Sequence, residues 1–526
     1  MSGLIAMVTQ QIRSNSVVLR NSAFMSLGSA STALLGFVYW WLAARSFPAA
    51  AVGVQSALMS AMAFVGMLGE AGFGTMLVGE ALSEGDRGAA MIAAAVLAGT
   101  GATLILALPV GGLFLHYAWM KLPVAVLFVL GCALTGCCFV VDGALVGLLH
   151  GKWQLYRNTL LAVLKLGLLL IAVAMTRNGA AIILTWIVSL GISLAVVCWH
   201  ASMRSVLILT APDFRSLSRR ISVVMRHHVL NLAVMAPFFI MPLVVSVCVG
   251  PEVNAAFYAG WMIFFVGQLV PVSLTTVLFA VGAVDSALQP LRLRFSFVLS
   301  LGFSVVVAGI LALFSDHILG LFNPAYPALA GSAVRLFGLG LLGAVVKQHY
   351  ILLMRMRGKM MTAALRLGLG ACLEIGLAAA GGVAGGVAWL TVGWLVAVTV
   401  QVAFLLPPVL RFLRSAPPLR ATGAVPESKS LLHGMADKLV VSDDSRHSSR
   451  SSMSTGRVTA PAPNWFPTVG KDNEIRPGSL MCRTQKTLWL AAQIQAGSCR
   501  GQSSVSGLIG AETAKPIAND SQHHRR

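Results

Sequence analysis

Charge is what this sequence has least of. Only 11% of its 526 residues are Asp, Glu, Lys or Arg, while 57% are hydrophobic, and a soluble globular chain carries about 25% charged residues. With a mean hydropathy of +0.81, that deficit excludes an ordinary soluble protein and requires lipid contact over much of the length. Acid is scarcer than base: 18 Asp and Glu against 38 Lys and Arg leave a formal net charge of +20. In a soluble protein the imbalance would suggest nucleic acid. In a membrane protein basic loops mark the cytoplasmic side, so no nucleic-acid partner is expected.

Catalytic signatures are missing too. There is no Gly-rich loop ending in Lys-Ser/Thr, no HExxH and no GxSxG. Without a nucleotide site, the chain cannot drive transport by hydrolysing ATP itself. The eight cysteines form no framework. Cys132, Cys137, Cys138, Cys198, Cys248 and Cys372 sit in apolar runs, Cys482 and Cys499 lie far apart near the end, and none has metal-ligand spacing with His. No metal or cofactor is expected. The opening "MSGLIAMVTQQIRSNSVVLRN" lacks a basic start and a long apolar core, so the first hydrophobic segment is expected to act as an uncleaved anchor.

What is abundant is apolar sequence in long runs. A spanning helix needs about 20 mostly apolar residues. Such runs fall at 22–43, 51–70, 89–112, 122–149, 158–176, 179–200, 228–249, 255–280, 295–315, 331–354, 361–382 and 384–410. Their length suits helices and is too great for barrel strands. The expected fold is therefore an all-α integral membrane protein of about 12 transmembrane helices. With the N-terminus in the cytoplasm, the inner loops and helix ends collect Arg13, Arg20, Arg87, Lys152, Arg157, Arg215, Arg219, Arg220, Arg292, Arg294, Arg355, Arg357, Lys359, Arg411 and Arg414, among others. The outer ones hold Arg45, Lys121, Arg177 and Arg335. This positive-inside bias predicts that both termini are cytoplasmic.

The spans divide six and six around the polar stretch 201–227, giving an N-terminal bundle at 21–200 and a C-terminal bundle at 228–410, behind a cytoplasmic segment at 1–20. A weak repeat supports the division. "ARSFPAAAVGVQSALM" joins spans 1 and 2, and "VCVGPEVNAAFYAGWM" joins spans 7 and 8, each with a proline in a short outer turn (Pro48, Pro251). Residues 411–526 change character: "SDDSRHSSRSSMSTGR" is typical, and the composition predicts a disordered cytoplasmic tail.

Charges inside spans are expensive and therefore informative. Asp142, Lys165, Lys347, Arg366 and Glu374 stand out. Counting from the inner helix ends places Asp142 and Lys165 at matched depth on adjacent antiparallel helices, as an ion pair would require. Lys347 and Arg366 also fall at similar depth, with Glu374 nearer the midplane. One carboxylate can offset one cation, and the surplus positive charge either snorkels to headgroups or faces an anion-binding cavity. His349 lies two residues beyond Lys347. Arg226, His227 and His228 at the inner mouth of span 7 would extend such a cavity. Pro237, Pro242 and Pro271 interrupt spans 7 and 8, and Gln268 sits mid-span.

The first two spans carry a resemblance. "NSAFMSLGSASTALLGFVYWWLAARSFPAAAVGVQSALMSAMAFVGMLGEAGFGTMLVGE" (21–80) resembles the opening of Wzx-type polysaccharide-biosynthesis flippases, in the multidrug/oligosaccharidyl-lipid/polysaccharide exporter (MOP) superfamily. Arg45 matches the arginine that often closes the first helix there, and Gly72 and Gly74 match a small-residue stretch near the end of the second. Glu80 stands where the family usually has a basic residue, and the long tail is not expected. In layout the resemblance covers roughly 15–410.

The resemblance implies two six-helix bundles in a MATE-like V, alternating access, and a cationic central cavity. Its substrate would be an undecaprenyl-pyrophosphate-linked oligosaccharide, flipped across the bacterial inner membrane for exopolysaccharide or O-antigen assembly. The bilayer, and a polysaccharide polymerase with its export machinery, would be the partners. By chemistry and depth, Lys347 and Arg366, then Lys165, Arg45 and Arg226, are the candidate substrate-binding cations. Asp142, Glu374, Gln268 and His349 are candidate modulating or charge-pairing groups. Two alternatives stay open: a cation- or proton-coupled small-molecule exporter of the same superfamily, and a membrane-embedded polysaccharide-assembly enzyme, against which the short outer loops count. The sequence does not specify a coupling ion, H+ or Na+.

Overall fold

The computed structural model describes residues 34–80, 86–116, 121–203, 210–282 and 289–414, and among these every regular element is a helix. In chain order they are α1 (34–46), α2 (Ala49–Glu70), α3 (Phe73–Glu80), α4 (Asp86–His116), α5 (Leu122–Gly147), α6 (Gly151–Met175) and α7 (Ala180–Met203). After a short α8 (Phe214–Ser218) come α9 (Ile221–Cys248), α10 (Pro251–Gly267), α11 (Leu269–Gly282), α12 (Gln289–Phe322) and α13 (Tyr326–Met356). The last helical stretch, Met360–Arg414, breaks where Gly385 and Gly386 leave helical geometry. It is therefore two antiparallel helices, α14 (360–384) and α15 (387–414). Gly386 has φ of 74°, a conformation open to glycine because it has no Cβ.

Ten of these segments are long and apolar enough to cross a membrane, counting Met360–Arg414 once, Pro251–Thr275 across its break, and the described residues only. The molecule is a multi-pass membrane protein with the all-helical architecture expected. The expected tail and N-terminal segment lie outside the described residues, apart from Arg411–Arg414, which continue α15. Side chains such as Leu97, Ile105, Val163, Val306, Leu313, Leu369 and Phe404 are exposed. On a soluble protein such a belt would aggregate, whereas here it is the surface that meets acyl chains.

Helices α2 to α7 pack among themselves, as do α9 to α15, and the two groups meet chiefly where α2 runs along α9 and α10. The short α8 docks on the first group: Asp213 N–H donates to the Ala90 carbonyl at 3.1 Å, and Leu217 is buried against α4. Both halves share a device. In each, the helix after the proline turn is broken, α2 from α3 at Ala71–Gly72 and α10 from α11 at Gln268. The two repeated turns also touch. Asn254 Nδ2 donates to the Gly53 carbonyl at 2.8 Å, and a Cβ on Gly53 would overlap the Pro251 carbonyl.

Several helices begin before their expected spans. Span 5 was expected from 158 and starts at Gly151; span 7 was expected from 228 and starts at Ile221. Polar first turns such as "GKWQLYR" continue a helix past the lipid edge, where hydropathy stops reporting it.

Candidate functional site

Proline chemistry shapes the wall of a cleft in the C-terminal half. Pro242 has no N–H to offer the carbonyl of Phe238 four residues earlier, and Trp261 Nε1 supplies the donor instead at 3.2 Å. Pro237 likewise leaves the Ala233 carbonyl without its helical donor, and Ala233 lines the same cleft. About 650 Å³ of space, part of it open to solvent, lies between α9, α10, α13, α14 and α15. Trp261 stacks on Phe264 with ring centroids 5.0 Å apart and meets Trp394 edge-on at 5.4 Å.

The polar lining is specific. Lys347 on α13 forms an ion pair with Glu374 Oε1 on α14, and Trp394 Nε1 donates to Glu374 Oε2 at 3.0 Å. The Lys347 side chain is 21% exposed and that of Glu374 3%. Gln268, at the α10–α11 break, and Gln348 face the same space. Gln401 lines it as well, is 4% exposed, and neither its amide nitrogen nor its oxygen has a protein partner. A buried primary amide with no partner costs about 1–3 kcal/mol unless something supplies its hydrogen bonds. The cleft thus offers three side-chain amides and one compensated ion pair, backed by a wall of aromatic rings packed against one another.

The surplus positive charge expected of this cavity is not found in the described lining. Glu374 balances Lys347, and Arg366 faces elsewhere. Arg366 Nη1 donates to the Tyr350 hydroxyl at 3.2 Å, and Arg366 lines a second cleft near the α13–α14 turn. Equal depth did not mean a shared cavity, because residues at one depth can lie on different faces of their helices.

The other expected residues fall into separate settings. Asp142 pairs with Arg157, Nε to Oδ1 at 2.7 Å and Nη2 to Oδ2, instead of with Lys165. Asp142 and Lys165 are not at matched depth: α6 starts seven residues before the expected span, so the residue opposite Asp142 is Arg157, and Lys165 lies about 12 Å deeper. Lys165 is 1% exposed, with its ammonium 4.2 Å from the ring centre of Trp186 and 5.5 Å from that of Tyr39. Aromatic faces thus contribute to its stabilisation.

Arg45 lies at the opposite end of the molecule from the α13–α14 turn. It donates twice to the Leu321 carbonyl, at 3.0 and 2.9 Å, joining α1 to the end of α12. His349 is fully buried away from the cleft. Its Nδ1 donates to the Val345 carbonyl at 2.8 Å, leaving Nε2 to accept from Ser296 at 3.1 Å. Arg226 belongs to α9, but its side chain lies outside the described residues. One charge was missed. Glu70 is buried, accepts from Gly74 N–H at 2.9 Å, and lies 3.6 Å from His228 Nδ1 across the contact between halves. It was overlooked because span 2 was expected to end there, whereas α3 carries the span on to Glu80.

No protein-family model and no curated protein matches the sequence. Solved structures do. The chain is similar to a multidrug resistance transporter of the MATE family, MOP superfamily, in its inward-facing conformation. The TM-score is 0.54 at 14% identity, over 75% of this chain and 96% of that one. It is also similar to a MOP-superfamily transporter from Pyrococcus furiosus for which a binding pocket of reverse polarity is said to suggest a different function. Here the TM-score is 0.50 at 16% identity, over 76% and 96%. At these identities what is shared is the fold, and that fold is the MATE-like one the resemblance implied.

Proposed function

We propose that this chain is a transporter, not an enzyme, and that it carries an undecaprenyl-pyrophosphate-linked oligosaccharide across the bacterial inner membrane by alternating access. The observation that carries the cargo assignment is the lining of the C-terminal cleft. Sugars are neutral polyols with apolar ring faces; they call for aromatic planes and for side chains that both donate and accept hydrogen bonds. Gln268, Gln348 and Gln401 offer the hydrogen-bonding groups in front of a wall of packed aromatic rings, and the vacant hydrogen-bonding capacity of Gln401 suits a hydroxyl-rich ligand. The Lys347–Glu374 pair adds a donor and an acceptor without net charge. The resemblance of residues 21–80 to Wzx-type flippases points to the same cargo. In this reading the face with the basic turns is cytoplasmic, both termini lie there, and the polymerase and export machinery receive the product.

Short turns support a transporter over an assembly enzyme. On the opposite face, Phe47–Pro48, Val249–Gly250 and Asn323–Ala325 are too brief to build a catalytic domain. A second reading, an exporter of organic cations coupled to H+ or Na+, draws on buried Glu374 and Glu70. Proteoliposomes separate the two. The full chain is reconstituted with a polyprenyl-diphosphate oligosaccharide confined to one leaflet, and sugar reaching the other is scored with a membrane-impermeant glycosidase. The flippase reading expects protein-dependent exposure of the sugar; efflux of a cationic dye without any such exposure overturns it.

A further inference from the structure

Topology needs basic residues on one face of a membrane protein, but it does not need them to converge. Near the α13–α14 turn they do. Arg357 and Lys359 of the turn, Arg366 of α14 and Arg411 of α15 come from separate parts of the chain and line one cleft with Met354, Thr362, Phe404, Pro407 and Pro408. About 890 Å³ lies within it, open to the surface, and no carboxylate is among its described lining residues. Two of the cations are held in place. Arg366 is anchored on Tyr350, itself fully buried, and the Arg357 guanidinium lies 5.7 Å from the ring centre of Phe412. Holding several like charges together without acid costs repulsion that an anion would relieve.

The surroundings identify the kind of anion. On the same two helices, from the edge of the cleft outward, Leu365 is 61% exposed, Phe404 71% and Leu369 69%, with Val400 also open. A cationic cleft set at the end of an exposed apolar strip matches an amphiphile, with its phosphate among the guanidinium groups and its chains along the strip. We propose that this cleft is a binding site for the phosphate headgroup of an anionic lipid in the leaflet on the basic face. The site is separate from the C-terminal cleft and does not depend on what that cleft carries. Arg366 thereby gains a partner without sharing Lys347's cavity.

The test uses the full chain, delipidated in detergent, with phosphatidylglycerol added and binding read by native mass spectrometry. Exchanging Arg366→Gln and Arg411→Gln together should weaken binding roughly 25-fold, at about fivefold for each cation lost. Both side chains are exposed, so the variant should fold, which an unchanged unfolding temperature checks. Arg335→Gln, at the other end of the molecule and paired with Asp316, should leave binding intact. Equal weakening by Arg335→Gln would reduce the effect to general surface charge and overturn the site. So would unchanged binding in the Arg366/Arg411 variant. Displacement of the lipid by millimolar inorganic phosphate would assign the cleft to free phosphate and overturn the lipid reading.

Discussion

Lys347 and Glu374 are worth more to each other than either is alone, and that sets what single substitutions do. Lys347→Ala leaves a nearly buried carboxylate with Trp394 as its neutral donor, a loss of about 3–5 kcal/mol for a fully buried pair and less here because Lys347 is partly exposed. Lys347→Met combined with Glu374→Gln removes both charges and keeps an acceptor for Trp394, so the double variant should unfold within a few degrees of the parent. If the pair also touches cargo, that stable variant still loses transport, by roughly tenfold or more, the equivalent of one good hydrogen bond. Normal transport by a stably folded double variant would confine the pair to architecture. The Asp142–Arg157 pair makes a parallel case. Arg157→Met should lower the unfolding temperature more than Asp142→Leu with Arg157→Met together, since the single change strands a buried carboxylate. At this scale the sequence was readable in kind and not in partner. Five charges inside spans could be named, but Glu70 escaped because it falls at the hydropathy edge of its span, and Arg157, one residue outside another span, reads as a topology marker although it lies inside a helix.

Helix contacts depend on one missing atom. Gly53 lies where the two repeated turns meet, and any side chain there collides with the Pro251 backbone, which cannot swing aside as a flexible side chain could. Gly53→Val is expected to cost about 1–3 kcal/mol or more by overpacking, read as a lower unfolding temperature, and to separate the halves at that end. Gly386→Ala, away from the contact between halves, should cost about 1–3 kcal/mol because its backbone lies in a region essentially reserved for glycine, and should leave that contact intact. The helical elements were legible because long apolar runs allow little else. Their breaks were partly so. Pro271 marked trouble in the eighth span, yet the chain breaks at Gln268, and the matching break at Ala71–Gly72 carries no proline at all.

Across the whole molecule, the end opposite the basic turns is sealed between halves. Arg45 and Trp41 both donate to Leu321, Asn323 donates to Ala44, and Phe37 meets Phe322 at 4.9 Å. Alternating access requires this seal to open. Cysteines introduced at Ala44 and Asn323, in a chain otherwise free of cysteine, should be joined by a short bis-thiol reagent with loss of transport, and a reducible reagent should allow recovery on reduction. Transport at the parental rate by the fully cross-linked chain would rule out opening at that end. Removing 421–526 is expected to leave transport close to normal, because that sequence has neither apolar length to span nor a motif for chemistry.

Composition and hydropathy by themselves determined that this chain is helical and crosses a membrane many times, because a bilayer core tolerates no unpaired backbone and little charge. The two proline turns were legible for the same reason: they interrupt runs that lipid would otherwise keep continuous. Pairing was left to the tertiary structure. Whether Lys347 meets Arg366 or Glu374, and Asp142 meets Lys165 or Arg157, depends on the rotation of each helix about its axis and on where it begins. Those are set by close packing of small residues such as Gly53 against a neighbouring backbone, and no window of hydropathy contains them.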